Sequence, residues 1–343
     1  MSLQVGIAGA GLMGRAHAEA YARNGVQLFA VADTDPERAE ALARTYGARA
    51  FARLEDMVAA GANAISICLP HNLHLPAVLY CAERGIPVLI EKPHCTTAAE
   101  AWVIRKACRE HRQAPMVGFT HRFLRSTIEL KRRLESGEFG LVELVTDCLV
   151  AKSLGPSAPA WYGDRAAAGG GIVMMGGIHT VDRLRWLLGS EVTAVHAVCR
   201  QADAGEGVEH LAVVLLEFAC GACACLAAYR SPAPGHERRH RYQIFGTKAS
   251  ADCGIDEFDR QQLSISAGGA TAIIECSGDD PVSAEVGEFL ASLREGREPR
   301  PGLDDAEIAL AIVLAIYESA RTGNRVLLTD FMTRYFRWRL EDQ

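Results

Sequence analysis

The first 33 residues constrain the fold most strongly, because a glycine-rich turn stands between a strand pattern and a helix pattern. The apolar run of residues 5–8 predicts a buried strand, and a helical pattern follows the turn as far as residue 23. The glycines of the turn have the spacing G-x-G-x-x-G, at Gly9, Gly11 and Gly14. The segment VQLFAVAD predicts a second strand that ends in Asp33. This order is typical of a dinucleotide-binding βαβ unit, whereas an isolated glycine motif would indicate only a turn.

The same segment predicts which groups hold the cofactor. Gly9 permits the tight turn, Gly11 lets the backbone approach a pyrophosphate, and Gly14 lets the helix pack on the strand. The helix start, at Leu12 and Met13, offers backbone N–H groups and a positive dipole to the phosphates.

Asp33 bears on the choice between the two nicotinamide dinucleotides. Its carboxylate can accept hydrogen bonds from the adenosine ribose hydroxyls. Asp33 and Asp35 together would repel a 2′-phosphate, although Arg38 lies close enough in the sequence to weaken that repulsion. We therefore expect NAD as the cofactor, with NADP less favoured.

Strand and helix patterns continue to alternate after this unit. Strands are predicted over 62–69, 86–93 and 115–123, and helices over 75–85 and 97–111. Such alternation predicts a Rossmann fold, a doubly wound parallel sheet that binds ligands at the carboxyl ends of its strands. Those ends carry the next candidates for the nicotinamide side, which are Pro70, His71, His74, Glu91, Lys92, His121 and Arg122.

Composition excludes several other classes of function. The 36 basic and 42 acidic residues give a net charge of -6, so no large basic field invites nucleic acid or an anionic membrane. No apolar run approaches the roughly 20 residues of a membrane span, and we expect a cytoplasmic protein. The eleven cysteines are predicted to be free thiols, and Cys220, Cys223 and Cys225 to be buried ones. A metal site would need a second ligand cluster, so none is expected.

Four stretches of the chain resemble the Gfo/Idh/MocA family, which includes glucose–fructose oxidoreductase and inositol dehydrogenase. They are EKP at 91–93, LPHNLHLPAV at 69–78, the segment that begins GFTHRF at 118, and GGGIVMMGGIHTVDRLRWLLG at 169–189. The resemblance extends from the start of the chain to about Leu328. It implies an NAD-binding domain over 1–120 and a substrate-binding and oligomerisation domain over 121–343. The second domain should be an α/β domain with a large, mostly antiparallel open sheet, in a homodimer or homotetramer.

The resemblance also implies an activity, that of an NAD(P)-dependent dehydrogenase acting on the CH–OH group of a sugar, cyclitol or related polyol. Lys92 and His179 would handle the proton. By spacing alone, Ile178, Val181 and Leu184 form a buried helix face, and His179 lies on the other side. Read without the family, Lys92 is a surface lysine and His179 a surface or capping histidine.

Met175 departs from the family pattern, which commonly has Asp or Asn one turn before the histidine. Three explanations stay open: proton transfer does not need this position, the substrate presents an apolar edge, or redox activity has been lost. Two other functions therefore remain, an NAD-dependent enzyme that cleaves glycosides by transient oxidation and a non-catalytic NAD-binding sensor. The remaining substrate candidates are Arg122, Trp161, Tyr229 and His236.

Overall fold

The computed structural model divides the chain into two compact units. It describes residues 3–337 and 339, except for 155–157, 202–206, 232–237, 257–259, 277 and 279. The first unit comprises residues 1–120 and 279–307, and the second comprises residues 121–278 and 308–343. No helix in the described ranges is both long enough and apolar enough to cross a bilayer.

The first unit contains a six-stranded sheet whose strands are all parallel. Its strands are β1 (Val5–Ala8), β2 (Leu28–Ala32), β3 (Arg49–Phe51), β4 (Ala64–Ile67), β5 (Val88–Glu91) and β6 (Met116–Gly118). The helices between them are α1 (Leu12–Arg23), α2 (Pro36–Thr45), α3 (Leu54–Ala59), α4 (His74–Ala82) and α5 (Ala98–Glu110). The strand order is β3-β2-β1-β4-β5-β6, which confirms the predicted doubly wound Rossmann sheet.

Local sequence explains the elements of this sheet and one error in their predicted lengths. Each residue of β1, β4 and β5 is buried, as expected for strands covered by helices on both faces. Thr97 starts α5 with a reciprocal capping box to Glu100. The predicted strand over 115–123 is too long, because β6 ends at Gly118 and residues 120–123 form a 3₁₀ turn.

The second unit contains a nine-stranded sheet and the helices that cover it. The elements up to residue 274 are α6 (Arg125–Glu135), β7 (Val142–Ala151), α7 (Arg165–Ala168), α8 (Ile178–Leu188), β8 (Val192–Gln201), β9 (Glu209–Phe218), β10 (Cys223–Arg230), β11 (Arg239–Gly246), β12 (Ala249–Ile255), β13 (Gln261–Ala267) and β14 (Ala270–Ile274). The C-terminal elements of the chain are α9 (Pro281–Glu295), which lies in the first unit, α10 (Leu303–Thr322), which begins in the first unit and continues into the second, and β15 (Val326–Leu327) and α11 (Leu328–Tyr335) of the second unit.

The sheet order is β14-β13-β12-β11-β7-β10-β9-β8-β15. Only β7 and β10 pair in parallel, so the predicted large and mostly antiparallel sheet is confirmed.

The segment 279–307, which contains α9, belongs to the first unit and not to the second. The side-chain amide of Asn24 in α1 donates to the Ser283 carbonyl at 2.9 Å. The backbone N–H of Val117 in β6 donates to the Pro301 carbonyl at 2.9 Å. The first unit is therefore discontinuous in sequence, whereas the predicted ranges 1–120 and 121–343 are continuous.

One face of the nine-stranded sheet is open, and this overturns the prediction for one group of cysteines. All eleven cysteines are free thiols, as predicted. Cys220, Cys223 and Cys225, however, are exposed and not buried. Cys223 and Cys225 do share a face of β10, but it is the open one, whereas the alternate residues Ala224 and Leu226 are buried.

Candidate functional site

The three glycines of the G-x-G-x-x-G turn fulfil different requirements in the structure. Gly9 has a φ of +99°, and a Cβ there would lie 2.3 Å from the carbonyl oxygen of Cys68. A Cβ on Gly14 would lie 1.8 Å from the carbonyl oxygen of Gly9. A Cβ on Gly11 would meet no atom within 4 Å. The fold itself therefore requires Gly9 and Gly14, whereas Gly11 keeps open a space that the protein does not fill.

The start of α1, beside Gly11, is exposed in the way that a phosphate site needs. The N-cap residue is Gly11, which has no side chain to cap the helix, and the first turn contains no acidic residue. Leu12, the first helical residue, is 77% exposed although it is apolar. Unsatisfied helix N–H groups with positive dipole are a general anion site, so these residues fit a dinucleotide pyrophosphate.

Asp33 lies beside the same turn, whereas Asp35 does not share its role. The Asp33 carboxylate accepts hydrogen bonds from the backbone N–H of Ala10 at 2.7 Å and of Asp35 at 2.9 Å. The Asp35 carboxylate caps α2 and accepts a hydrogen bond from the Arg38 side chain at 2.7 Å. Arg38 is thus paired with Asp35, which limits the attraction it offers to a 2′-phosphate.

His74 joins the two loops that follow β4 and β5. Its side chain is fully buried, with Nδ1 2.8 Å from the carbonyl oxygen of Pro93 and Nε2 2.9 Å from that of Leu69. Burial lowers the pKa of His74, although the two carbonyl oxygens favour the protonated ring. The loop that starts at Pro70 and the loop that carries Lys92 are therefore held together through one imidazole.

Glu91 and Lys92 at the end of β5 face different surroundings. Lys92 is half-buried, whereas Glu91 is 5% exposed and accepts a hydrogen bond from Nε2 of His17 at 3.0 Å. Nδ1 of His17 lies 3.2 Å from the hydroxyl of Ser66. Burial alone would lower the pKa of His17, but Cys68 and Glu91 outweigh it and raise that pKa well above its usual value.

A second buried carboxyl group, Glu285 of α9, completes this cluster. Ligand atoms of His17, Glu91 and Glu285 all lie within 4.8 Å of one another. A Cβ on Gly118 would lie 3.2 Å from one oxygen of Glu285 and 3.3 Å from one of Glu91, so Gly118 leaves room for both carboxyl groups. Burial and the charge of Glu91 raise the pKa of Glu285 well above its usual value. Neither His17 nor Glu285 was predicted from the sequence.

His179 is buried near the start of α8 and stacks on a second histidine. Its ring lies parallel to that of His121, with centroids 4.3 Å apart and an interplanar angle of 19°. Nδ1 of His121 accepts a hydrogen bond from Arg183 at 3.3 Å. Burial, then the charges of His179 and Arg183, lowers the pKa of His121 well below its usual value. His121 is consequently a neutral neighbour for His179.

Arg183 forms an ion pair with an acidic residue of β7. Its guanidinium pairs with the buried carboxylate of Asp147 and lies over the ring of Tyr242, 3.9 Å from the centroid. His240 donates a hydrogen bond from Nε2 to Asp147 at 2.9 Å. These four groups form a buried network that holds Arg183, the hydrogen-bond donor to His121. None of the four was predicted as a site residue, although Asp147, an acid inside the largely apolar run LVELVTDCLV, was a signal.

The polar side of α8 is buried, which corrects the prediction that it lies opposite the core. Asp182 and Arg183 are fully buried, and His179 is 9% exposed. Arg122 forms a two-point ion pair with Asp182, with contacts of 2.8 and 2.6 Å. Ion pairing compensates the cost of burying these charges. Arg122, predicted as a substrate contact, is engaged in holding α8.

The glycine run before α8 packs against β9 and α10. A Cβ on Gly170 would lie 2.0 Å from the hydroxyl of Tyr317, and one on Gly171 would lie 1.9 Å from the carbonyl oxygen of Glu209. The buried Glu209 carboxylate accepts hydrogen bonds from the N–H of Gly171 and Val173, at 2.8 and 3.0 Å, and from Tyr317 at 2.9 Å. Glu209 therefore anchors the π-helical turn of residues 173–177 that leads into His179.

Met175 lies in that π-helical turn and touches an arginine at the end of β10. Its Sδ atom is 3.7 Å from Nη2 of Arg230. The predicted aromatic residues are half-buried in the same unit: Trp161 meets Tyr162 edge-on at 4.4 Å, and Tyr229 meets His210 at 5.9 Å. His236, also predicted as a substrate residue, lies outside the described residues.

Comparison with known proteins assigns the chain to a family. Residues 3–119 match the oxidoreductase family with an NAD-binding Rossmann fold, and residues 127–252 match the Gfo/Idh/MocA C-terminal domain. The chain belongs to the Gfo/Idh/MocA oxidoreductases. The first match covers the parallel sheet from β1 to β6, and the second covers α6 through most of β12.

Named relatives of this Gfo/Idh/MocA protein cover nearly its whole length. Inositol 2-dehydrogenase of Rhizobium meliloti is 30% identical over 95% of this chain and 99% of its own. The scyllo-inositol 2-dehydrogenase (NAD(+)) of Bacillus subtilis is 27% identical over 94% of this chain and 95% of its own. Among solved structures, aldose-aldose oxidoreductase of Caulobacter crescentus, in complex with glycerol, is 26% identical with a TM-score of 0.85, covering 95% of this chain and 100% of that one.

Proposed function

We propose that the protein is an NAD-dependent dehydrogenase that oxidises a secondary hydroxyl of a sugar, cyclitol or related polyol, or catalyses the reverse reduction. The observation that carries the proposal is the buried His179, stacked on a neutral His121 at 4.3 Å. A protein that only bound NAD would have no need for a titratable ring fixed in this way. The inositol dehydrogenases among the relatives, one of them named for NAD(+), agree with this class of substrate and cofactor.

In this proposal the chain's own residues handle the proton of the substrate hydroxyl. NAD, when bound, supplies a nicotinamide ring that accepts a hydride. His179 accepts the hydroxyl proton, because an imidazole titrates in the range where it can both take and release one. The ammonium of Lys92 donates a hydrogen bond to the hydroxyl oxygen and stabilises the negative charge that develops there.

The remaining predicted residues receive roles according to their contacts. Gly9, Gly11, Leu12, Met13 and Gly14 form the turn and helix start that we propose for the pyrophosphate. We propose that Asp33 binds the adenosine ribose and favours NAD over NADP. His74, Glu91 and Arg122 are positioning residues, because their polar atoms contact Pro93 and Leu69, His17, and Asp182 respectively.

The test is NADH formation, followed at 340 nm, against a panel of inositols, aldoses, aldonates, uronates and sugar phosphates. Lys92→Met and His179→Gln should each lower kcat by about 10² or more, the usual cost of removing an acid–base group. Lys106→Met and His111→Gln are matched controls at exposed positions and should leave kcat unchanged.

NAD binding is measured in parallel by quenching of tryptophan fluorescence. If the wild type binds NAD but oxidises no panel member, the dehydrogenase proposal fails. Cleavage of a glycoside without net NADH would instead establish the transient-oxidation reaction. Full activity in Lys92→Met or His179→Gln would refute the role assigned to that residue.

A further inference from the structure

Arg230 is a half-buried arginine at the end of β10 whose guanidinium contacts a carbonyl oxygen and a thioether. Nη1 donates to the carbonyl oxygen of Lys152 at 3.3 Å, and Nη2 lies 3.7 Å from Sδ of Met175. Within the described ranges, no acidic side chain forms an ion pair with Arg230. The negative charge of Glu209 favours the charged form of Arg230. The Glu209 carboxylate, however, already accepts hydrogen bonds from two backbone N–H groups and from Tyr317.

Other buried arginines of the same unit are neutralised. Arg122 pairs with Asp182, Arg183 with Asp147, and Arg185 with Glu191. Burying a guanidinium without a counter-ion is unfavourable, and burial lowers the pKa of Arg230. Arg230 differs from these three arginines, since no acidic residue in the described part of the chain pairs with it.

The side chain of Met175 lies beside this guanidinium and carries no charge to compensate it. It stands four residues before His179, at the position where the family pattern has Asp or Asn, and its thioether is only a weak acceptor. An aspartate there, with its carboxylate near the place of Sδ, would pair with Arg230 and cancel its charge. A thioether carries no charge, so the guanidinium beside Met175 remains positively charged.

We propose that Arg230 binds an anionic group of the substrate, a carboxylate or a phosphate, and that Met175 makes this possible. The substrate would then be an acidic polyol, such as an aldonate, a uronate or a sugar phosphate. A planar guanidinium fork suits two oxygens of either anion. Tyr162 acts electrostatically on the pKa of Arg230 and packs edge-on against Trp161. These two rings would provide aromatic surface for the rest of a sugar. This inference rests on the proposed function only in taking the anionic ligand to be the molecule oxidised.

The test compares ligands that differ in charge and little else. Binding to the NADH-saturated protein is measured by calorimetry for D-glucuronate against D-glucuronamide, D-gluconate against D-glucitol, and glucose 6-phosphate against glucose. We expect the anion to bind at least tenfold tighter than its neutral partner in at least one pair. The first two pairs identify a carboxylate site, and the third a phosphate site.

Variants then assign the preference to Arg230. Arg230→Gln should weaken binding of the preferred anion about 10- to 100-fold and leave the neutral partner within about twofold, because a charge-assisted hydrogen bond is lost. The affinity of Arg230→Lys for the preferred anion should lie between those of the wild type and Arg230→Gln, since lysine retains the charge but lacks the planar guanidinium fork. Arg132→Gln, an exposed arginine of α6, should leave the preference unchanged.

Met175→Asp separates charge from shape. It should abolish the preference for the anion by giving Arg230 an internal partner, whereas the apolar Met175→Leu should retain the preference. Equal affinity for both members of every pair, or a preference that survives Arg230→Gln, would overturn the inference. Binding tests the inference independently of turnover. If neutral polyols are oxidised and no anion is preferred, the inference about Arg230 fails and the proposed function stands. If an anion binds selectively but is not oxidised, anion binding by Arg230 stands and the proposed function fails.

Discussion

The imidazole rings of His121 and His179 stack with centroids 4.3 Å apart, and Nδ1 of His121 accepts a hydrogen bond from Arg183. The two contacts of His121 can be separated by substitution. His121→Phe retains an aromatic ring for the stack but removes the acceptor of Arg183. His121→Asn places an acceptor near the position of Nδ1 but removes the ring.

We expect His121→Asn to lower kcat about tenfold, because His179 loses the surface that orients it, and His121→Phe to lower it less than about threefold. His121→Phe should instead lower the melting temperature, since a buried donor of Arg183 is left without an acceptor at a cost of about 1–3 kcal/mol. Steady-state kinetics and differential scanning fluorimetry measure the two effects. Equal loss of activity in both variants would show that stacking does not position His179.

The glycines of the nucleotide turn give a second pair of variants with opposite expected effects. Gly11→Ala adds a Cβ that meets no protein atom within 4 Å, at a φ of -73° that any residue adopts. It should leave the melting temperature of the apoprotein unchanged and weaken NAD binding about tenfold or more, since the backbone can no longer approach the pyrophosphate. Gly14→Ala adds a Cβ 1.8 Å from the Gly9 carbonyl oxygen, so it should destabilise the apoprotein. A Gly11→Ala protein with wild-type NAD affinity would move the pyrophosphate away from this turn.

The sequence predicts what depends on local pattern. The parallel sheet follows from alternating apolar runs and helical stretches, and Gly9, Gly11 and Gly14 follow from spacing between a strand and a helix. Lys92 and His179 were found because short motifs around them resemble a family. In each of these cases the evidence lies within some 20 residues of the feature itself.

What the sequence did not show depends on contacts between distant segments. Glu285 reaches the cluster of His17 and Glu91 only because α9 returns to the nucleotide-binding unit after eight of the nine strands of the second sheet, β7 to β14. Arg230 became a candidate only once the structure placed it beside Met175, which stands 55 residues earlier in the chain. Periodicity also placed His179 on the open side of α8, because it scores Asp182 and Arg183 as polar and takes no account of the partners that bury them.

The cluster of His17, Glu91 and Glu285 predicts how stability depends on pH. The pKa of Glu285 is raised, so the folded protein holds this proton more tightly than the unfolded chain does. The resulting stabilisation is complete below the unfolded pKa of about 4.3 and is lost as pH rises toward the folded value. His17, whose pKa is also raised, adds a loss in the same direction above about pH 6.5.

Glu285→Gln should therefore flatten the decline in stability between pH 5 and pH 8, because its amide is neutral throughout this range. One group contributes at most about 1.4 kcal/mol per pH unit, and about 1 kcal/mol shifts the melting temperature of a domain this size by roughly 2–4 °C. Scanning fluorimetry across this range should show the wild type losing several degrees more than the variant. Glu295→Gln, exposed on the same helix, is the control. Parallel declines in wild type and variant would show that Glu285 is already ionised at pH 5.

The open face of the nine-stranded sheet predicts an assembly. Val198 on β8 pairs across the strands with Val213, and Leu215 on β9 pairs with Cys225, and the three aliphatic side chains are 46–53% exposed. Adjacent exposed apolar residues on a flat sheet are typical of a protein–protein contact. Leu215→Asp should therefore convert the expected homodimer or homotetramer to a smaller species, detected by light scattering after size-exclusion chromatography, because a carboxylate would be buried without a partner. Val103→Asp, on a similarly exposed apolar residue of α5, should leave the mass unchanged. A wild-type monomer, or an oligomer that Leu215→Asp does not alter, would exclude this face as the interface.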